Sequence, residues 1–266
     1  RDFRWNTYEN QQTAKLLASD LEYALSKGEL ELYYQPQVNR DGTLYGCEAL
    51  LRWNYMGRGF VYPPLIIALA VQGDFIGPLG MYIVEKACRD MAAARAQSGH
   101  PVSFSVNILP MELEDPSFAD QVLKILEDAG VEGSDLTIEL TEQVALNPGP
   151  NLERQLEKLR ESRVRISMDD FGMGHGSLNY LNSSHYDEVK IDGSLIRRLP
   201  EHTQTCELVG NIMNMSRILG VNTVAECVET PEQIQTLEQL GCSIYQGYYY
   251  SRPLPLEEFI EYVKGL

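Results

Sequence analysis

Basic residues, paired cysteines and long apolar runs are all scarce in this chain, and each shortage excludes something. Lysine and arginine number 22 against 38 aspartates and glutamates, so the formal net charge is −16. That balance argues against a nucleic-acid polymer as partner, because such binders carry basic patches. It leaves room for a small anionic ligand where metals or local arginines invert the field. The five cysteines (Cys47, Cys88, Cys206, Cys227 and Cys242) stand without CxxC or CxxH spacing. An odd, scattered set fits a reducing, cytoplasmic setting and speaks against a zinc site. No run reaches the roughly 20 apolar residues of a membrane span, so no direct membrane contact is expected of this chain, and no signal-peptide pattern is read. His100, His175, His185 and His202 fall in expected loops or helix ends, where histidine is ordinarily solvated. No Ser-His-Asp or Cys-His set offers a nucleophile.

What is present has the pattern of an α/β protein. Thr13 to Ser26 has helical spacing and stops before Gly28. Leu30 to Val38 and Thr43 to Trp53 read as two strands joined by an Asp41-Gly42 turn, hence an antiparallel pair. Helix and strand then alternate. Helical stretches are expected at Leu79 to Gln97, Phe118 to Ala129, Asn151 to Arg160, Thr205 to Leu219, Pro231 to Leu240 and Leu256 to Lys264. Strands are expected at Val102 to Ile108, Leu136 to Glu142, Val164 to Phe171, Glu188 to Ile191, Thr223 to Val228 and Ser243 to Tyr249. Such alternation implies a parallel sheet with helical crossovers. About eight strands in 266 residues favour a (β/α)8 TIM-type barrel, modified by an antiparallel first strand. An open doubly wound sheet is the alternative, but no glycine-rich phosphate fingerprint follows an early strand.

The polar residues fall where a barrel would use them. Glu48, Asn107, Glu139, Asp169, Asp170, Lys190, Glu226 and Gln246 each lie within or at the C-terminal end of an otherwise apolar strand. In a barrel those ends converge on one face, the face that carries active sites. Singly, each residue reads more naturally as a loop contact or a surface charge. Jointly, five carboxylates in one pocket could not all stay ionised without cations. Hard oxygen ligands favour magnesium or manganese. Asp169-Asp170, at the head of the glycine-rich run FGMGHGSL, could bridge two such ions about 3.5 to 4 Å apart, an arrangement suited to phosphoryl displacement. Lys190 suits a phosphate oxygen or a water.

These residues also sit in motifs that resemble those of the EAL domains. EALLRW at Glu48 to Trp53 is similar to the signature that gives the family its name. The likeness runs in order through YYQP (Tyr33 to Pro36), SVN (Ser105 to Asn107), IELTE (Ile138 to Glu142), DDFG (Asp169 to Gly172), KID (Lys190 to Asp192), AECVE (Ala225 to Glu229) and QGYYYSRPLP (Gln246 to Pro255). It covers residues 21–266, with residues 1–20 left as a linker and helix start of the kind that joins an upstream GGDEF or sensor domain. The resemblance implies a modified barrel that hydrolyses cyclic di-GMP to linear pGpG, water attacking phosphorus in line at two Mg2+ or Mn2+ ions per site. Carried over by motif, Glu48, Asn107, Glu139 and Asp169 resemble the ligands of one metal, and Asp169, Asp170 and Glu226 those of the other. Lys190 and Gln246 match positions that hold the water and its hydrogen bonds, with the general base assigned to the position of Lys190 or of Glu226. Glu142 matches a residue that steadies the loop after the aspartates, and Gln35 and Arg52 match substrate contacts. A homodimer is likewise what the family implies.

The chain departs from the family pattern at several points. Met173, His175 and Gly176 stand where active members usually carry Thr, Tyr and Ser; Val71 replaces a Glu, Leu109 a Ser, and Cys227 the Gly of AEGVE. None removes an inferred metal ligand. A second reading is a sensor that binds cyclic di-GMP without turning it over; such members generally lose the EAL glutamate or the aspartate pair, and this chain keeps both. A third, a metal barrel acting on sugars or carboxylates, requires setting the whole ordered motif set aside.

Overall fold

The computed structural model describes residues 11–57, 59–141, 149–172 and 186–266. Glu142 and the stretch from Met173 to Gly176 lie outside them. Helix α1 (Gln11–Lys27) precedes strands β1 (Glu31–Asn39) and β2 (Leu44–Arg52), which pair antiparallel with Gln35 opposite Glu48. Their turn is held by Asp41, whose carboxylate accepts from Thr43 N at 3.0 Å, and by Gly42 at φ 87, a conformation open to glycine at little cost.

From β2 onward the chain winds in one sense. Helices α2 (Pro63–Gln72) and α3 (Ile76–Ser98) lead to β3 (Phe104–Asn107), and α4 (Phe118–Ala129) to β4 (Leu136–Thr141). Helix α5 (Pro150–Glu161) precedes β5 (Arg165–Phe171), after which come β6 (Glu188–Ile191), the single turn α6 (Gly193–Ile196) and α7 (Thr203–Leu219). Strand β7 (Asn222–Ala225), α8 (Pro231–Leu240), β8 (Ile244–Gln246), the two-residue β9 (Leu254–Pro255) and α9 (Leu256–Lys264) complete it. Strands β2 to β8 pair in parallel with successive neighbours; β8 pairs antiparallel with β1, and β1 with β2, so the sheet closes. Strand β9 adds to β1 at Tyr33 and Tyr34. The expected modified barrel is what forms.

The inner strands are buried on both faces, as a helix-covered parallel sheet requires: all of β6 and all but the last residue of β4 are inaccessible. The same apolar layer extends into α3 and α4 through Leu79, Val84, Met91, Val122 and Leu126. Thr230 caps α8. Its hydroxyl accepts from Gln233 N at 3.3 Å, while Gln233 Oε1 accepts from Thr230 N at 3.1 Å, a reciprocal capping box ahead of Pro231.

Helix α2 was not foreseen because PPLIIALAVQ is apolar all round and shows no amphipathic period. Strand β8 ends earlier than expected, at Gln246. Gly247 packs against the backbone of Val228, whose N donates to Gln246 O at 3.1 Å, and a Cβ on Gly247 would collide with that backbone. Tyr249 N then donates to Val228 O at 3.0 Å, turning the chain across the mouth. Among the described residues no helix is long and apolar enough to cross a membrane.

Candidate metal centre

Glu48, Glu139 and Lys190 sit inside their strands, not at the ends, and point into the barrel, where they are 6%, 1% and 0% exposed. Asn107 and Gln246 close their strands, Glu226 lies one residue past β7, and Asp169 and Asp170 stand inside β5 near its end; together they form the layer above. The lysine is the hub. Its Nζ lies 2.7 Å from Glu139 Oε2, 2.8 Å from Glu226 Oε1, 3.1 Å from Glu48 Oε2 and 3.6 Å from Asp169 Oδ1.

Amides complete the surroundings of Glu48. Gln246 Nε2 donates to Glu48 Oε2 at 2.6 Å and Asn107 Nδ2 to Glu48 Oε1 at 2.7 Å. Gln246 is in turn fixed by Gln37, whose Nε2 donates to Gln246 Oε1 at 2.9 Å. Gln35 Oε1 accepts from Gln246 Nε2 at 3.2 Å, and Gln35 Nε2 donates to the carbonyl of Ser251 at the same distance. Arg52 stands on the neighbouring rim, its guanidinium 5.6 Å from the centre of the Tyr33 ring and its Nη1 donating to Leu51 O at 2.9 Å.

The aspartate pair reaches one site through a backbone device. Side chains of consecutive strand residues point to opposite faces, so a regular strand would separate Asp169 from Asp170. The β5–β6 ladder instead breaks between Met168 and Phe171, and Asp170 takes φ 57. A bulge with a residue in the left-handed region, which Asp tolerates better than most, re-aims the second carboxylate. Ligand oxygens of Asp169, Asp170 and Glu226 consequently fall within 4.8 Å of one another.

One cation among these carboxylates leaves negative charge in excess, and the protonation equilibria register it. Burial and the neighbouring Glu48 hold the Glu139 carboxyl well above its usual range. Burial, with Asp169 and Glu48 adding repulsion that Lys190 only partly offsets, pushes Glu226 up to about 8. Burial and the charges of Asp169 and Asp192 push Asp170 up to about 6. Glu48 goes the other way: burial would raise it, but Lys190, Gln246 and Asn107 together hold it below its usual value. Burial likewise works against the Lys190 ammonium, yet Asp169, Glu139, Glu226 and Glu48 outweigh it and raise the lysine well above its usual value.

The donor set fits divalent metals. Glu139 Oε1 is buried without a hydrogen-bond partner, and so is Asp169 Oδ1, from which Lys190 stands off at 3.6 Å. Orphaned, buried carboxylate oxygens beside a cluster of further carboxylates are the ligands a hard cation takes. The structure thus brings Glu48, Asn107, Glu139, Asp169, Asp170, Lys190, Glu226 and Gln246 together, with Gln35 adjoining. Two participants escaped the sequence reading. Gln37, two residues along β1 from Gln35 and so on the same face, could have been found by its period. Asp192, whose carboxyl lies beside that of Asp170, offered no signal beyond its place in KID.

Fold and site define the chain as a (β/α) barrel with an acidic, lysine-centred mouth. The EAL domain family profile matches residues 18–253, and the chain belongs to that family. It is 36% identical over 244 residues to the oxygen sensor protein DosP of Escherichia coli (strain K12), covering 91% of this chain and 30% of DosP. It is 35% identical to the cyclic di-GMP phosphodiesterase NbdA of Pseudomonas aeruginosa, covering 94% of this chain and 32% of NbdA. The chain spans about a third of the length of these curated relatives. The solved PaMucR phosphodiesterase in complex with c-di-GMP superposes with a TM-score of 0.86 at 34% identity, over 92% of this chain and 99% of that one.

Proposed function

We propose that this chain hydrolyses cyclic di-GMP to linear pGpG with two Mg2+ or Mn2+ ions per site. The observation that carries the reading is the convergence of Glu48, Glu139, Asp169 and Glu226 on Lys190 at the C-terminal mouth of an EAL barrel. NbdA is named a cyclic di-GMP phosphodiesterase, and the PaMucR phosphodiesterase was solved with c-di-GMP bound.

Glu48, Asn107, Glu139 and Asp169 would hold one metal, and Asp169, Asp170 and Glu226 the other, with Asp169 shared. Asn107 Nδ2 donates to Glu48, which leaves its carbonyl oxygen for a metal. Bound divalent ions would supply Lewis acidity and charge compensation for an anionic substrate. Lys190 and Gln246, both locked by hydrogen bonds, would orient the attacking water. Its proton would pass to Glu226, or to Lys190 where bound cations relieve the carboxylates that keep the lysine an ammonium. Gln35 and Arg52 would contact the nucleotide, the guanidinium suiting a phosphate oxygen. Glu142 would steady the loop after the aspartates.

The setting follows the same reading: a cytoplasmic domain, residues 21–266 preceded by a linker, that dimerises and serves an upstream GGDEF or sensor domain. MucR of Pseudomonas aeruginosa, 34% identical, is named a bifunctional diguanylate cyclase/cyclic di-GMP phosphodiesterase. The test is incubation with cyclic di-GMP and Mg2+ or Mn2+, followed by chromatography for pGpG. Product is expected, and Glu48→Ala or Asp169→Ala should cut turnover by at least about a hundredfold. Tight binding without product would replace the enzyme by a sensor; no binding would sink both.

A further inference from the structure

Cys227 follows Glu226 directly and holds φ 55, a left-handed backbone that side chains other than Gly, Asn and Asp seldom adopt. Its side chain rests on Gly193, the first residue of α6. A Cβ built on Gly193 would collide with Cys227 Sγ and lie 2.7 Å from Cys227 Cβ. Arg197, at the other end of that helical turn, brings Nη2 to 3.0 Å from the same sulfur. The three residues therefore interlock: the thiol occupies the space that a side chain at 193 would need, and the guanidinium closes over it.

The position of this contact gives it a consequence. On one side lies Glu226, whose N donates to Ile191 O at 3.4 Å. On the other lies Asp192, which caps α6 through Ser194 N at 2.8 Å, donates its own N to Phe171 O at 3.3 Å, one residue past Asp170, and sets its carboxyl beside that of Asp170. The turn bearing Glu226 and the turn bearing Asp192 meet at Cys227 and Gly193. Anything that changes their separation moves Glu226 relative to Asp170.

We propose that Cys227, Gly193 and Arg197 are positioning residues that set the spacing of Glu226 and Asp170, and with it the fit of a divalent cation between them. The inference rests on the metal reading of the site given above. Cys227 acts through Glu226 and touches neither substrate nor metal. Gly193 is the permissive half of the pair, since the thiol and a methyl cannot occupy the same space.

The experiment measures Mn2+ alone by the electron-paramagnetic-resonance signal of the free ion, beside kcat and KM for cyclic di-GMP. Gly193→Ala should weaken Mn2+ binding and lower kcat by about tenfold or more, with KM changed by less than about twofold. Adding Cys227→Gly to that variant lets the new methyl fill the space the thiol leaves. It should bring both quantities back to within about threefold of the starting protein. Should Gly193→Ala fail to fold, Arg197→Met, which removes the contact on the sulfur without adding bulk at 193, should weaken Mn2+ binding by severalfold at an unchanged circular-dichroism spectrum. Binding of Mn2+ unaltered in Gly193→Ala, a double variant no better than the single, or unaltered binding in a folded Arg197→Met would each overturn the proposal. A starting protein that binds Mn2+ but makes no pGpG refutes the phosphodiesterase reading while leaving these binding comparisons decisive.

Discussion

At the N-terminal end of the barrel, Tyr45 Oη donates to Glu188 Oε2 at 2.7 Å and accepts from Arg165 Nη1 and Asn222 Nδ2 at 3.2 Å each. At the C-terminal end Lys190 faces the carboxylates of Glu48, Glu139, Asp169 and Glu226 within 3.6 Å. The first is only partly buried, around a buried Glu188, and the second almost wholly so; both tie several strands together. The first pairs one carboxylate with one guanidinium and two neutral donors, so it closes electrostatically with only Arg165 Nε lacking a partner. The second carries surplus negative charge and leaves Glu139 Oε1 and Asp169 Oδ1 unanswered. A balanced cluster is what a barrel needs to plug one end. An unbalanced one costs stability unless something cationic binds, so it marks the end that works.

Removing the hub separates the two ends most sharply. Lys190→Met strips the one cation from the acidic cluster and should lower turnover by at least about a hundredfold. It should also destabilise the metal-free protein by about 3–5 kcal/mol, the usual consequence of leaving buried charges without their partner. Urea unfolding with and without Mn2+ checks this: metal should recover part of the loss, because it supplies positive charge to the same oxygens. A variant as stable as the parent in the presence of a chelator would show that the carboxylates were never in excess.

Much of this was legible before any coordinates. Strands and amphipathic helices announced themselves by period, and the placement of Glu48, Asn107, Glu139, Lys190 and Gln246 on successive strands pointed to one pocket. The registers, Gln35 opposite Glu48 and Asn107 beside Glu139, come from the structure. The backbone exceptions were not legible. The strand runs to Phe171 as expected, but nothing in the residue pattern announces the bulge at φ 57 that brings Asp169 and Asp170 to one site. Nor could a pattern of residue types reveal that Cys227 lies against Gly193, since the contact joins turns after different strands. Periodicity reports where side chains alternate; Asp170 and Cys227, both at positive φ, are places where it cannot say where a side chain goes.

Glu112 sharpens the comparison as a buried carboxyl that belongs to neither cluster. It lies between β3 and α4, its Oε2 accepting from Leu109 N at 2.8 Å, its Oε1 without a partner and pressed against Gly80 of α3. Burial pushes it up to about 7 from an ordinary 4.5, with the Leu109 hydrogen bond pulling weakly the other way. The folded state therefore keeps this proton where the unfolded chain has lost it. Its contribution is intact below the ordinary value and disappears as pH rises toward about 7, by about 3 kcal/mol in all. Glu112→Gln, which stays neutral, should flatten that part of the stability profile and leave the variant the more stable protein at pH 8. Urea midpoints at pH 5 and pH 8 decide it; a parallel drop in both proteins would place the pH dependence elsewhere.

The smallest effect is expected at the balanced end. Tyr45→Phe deletes the hydroxyl that Glu188, Arg165 and Asn222 share, but keeps the ring, over which the Arg165 guanidinium lies 5.6 Å from the centre. Loss of a shared hydroxyl among partly buried partners should cost about 1–2 kcal/mol. Cyclic di-GMP turnover and Mn2+ binding should be unchanged, because the cluster lies at the strand starts and the acidic mouth at their ends. Thermal unfolding and the pGpG assay on one preparation measure both quantities. A loss of turnover larger than the loss of stability explains would mean that the two ends are coupled through the strands, and the division between a plug and a working mouth would have to be abandoned.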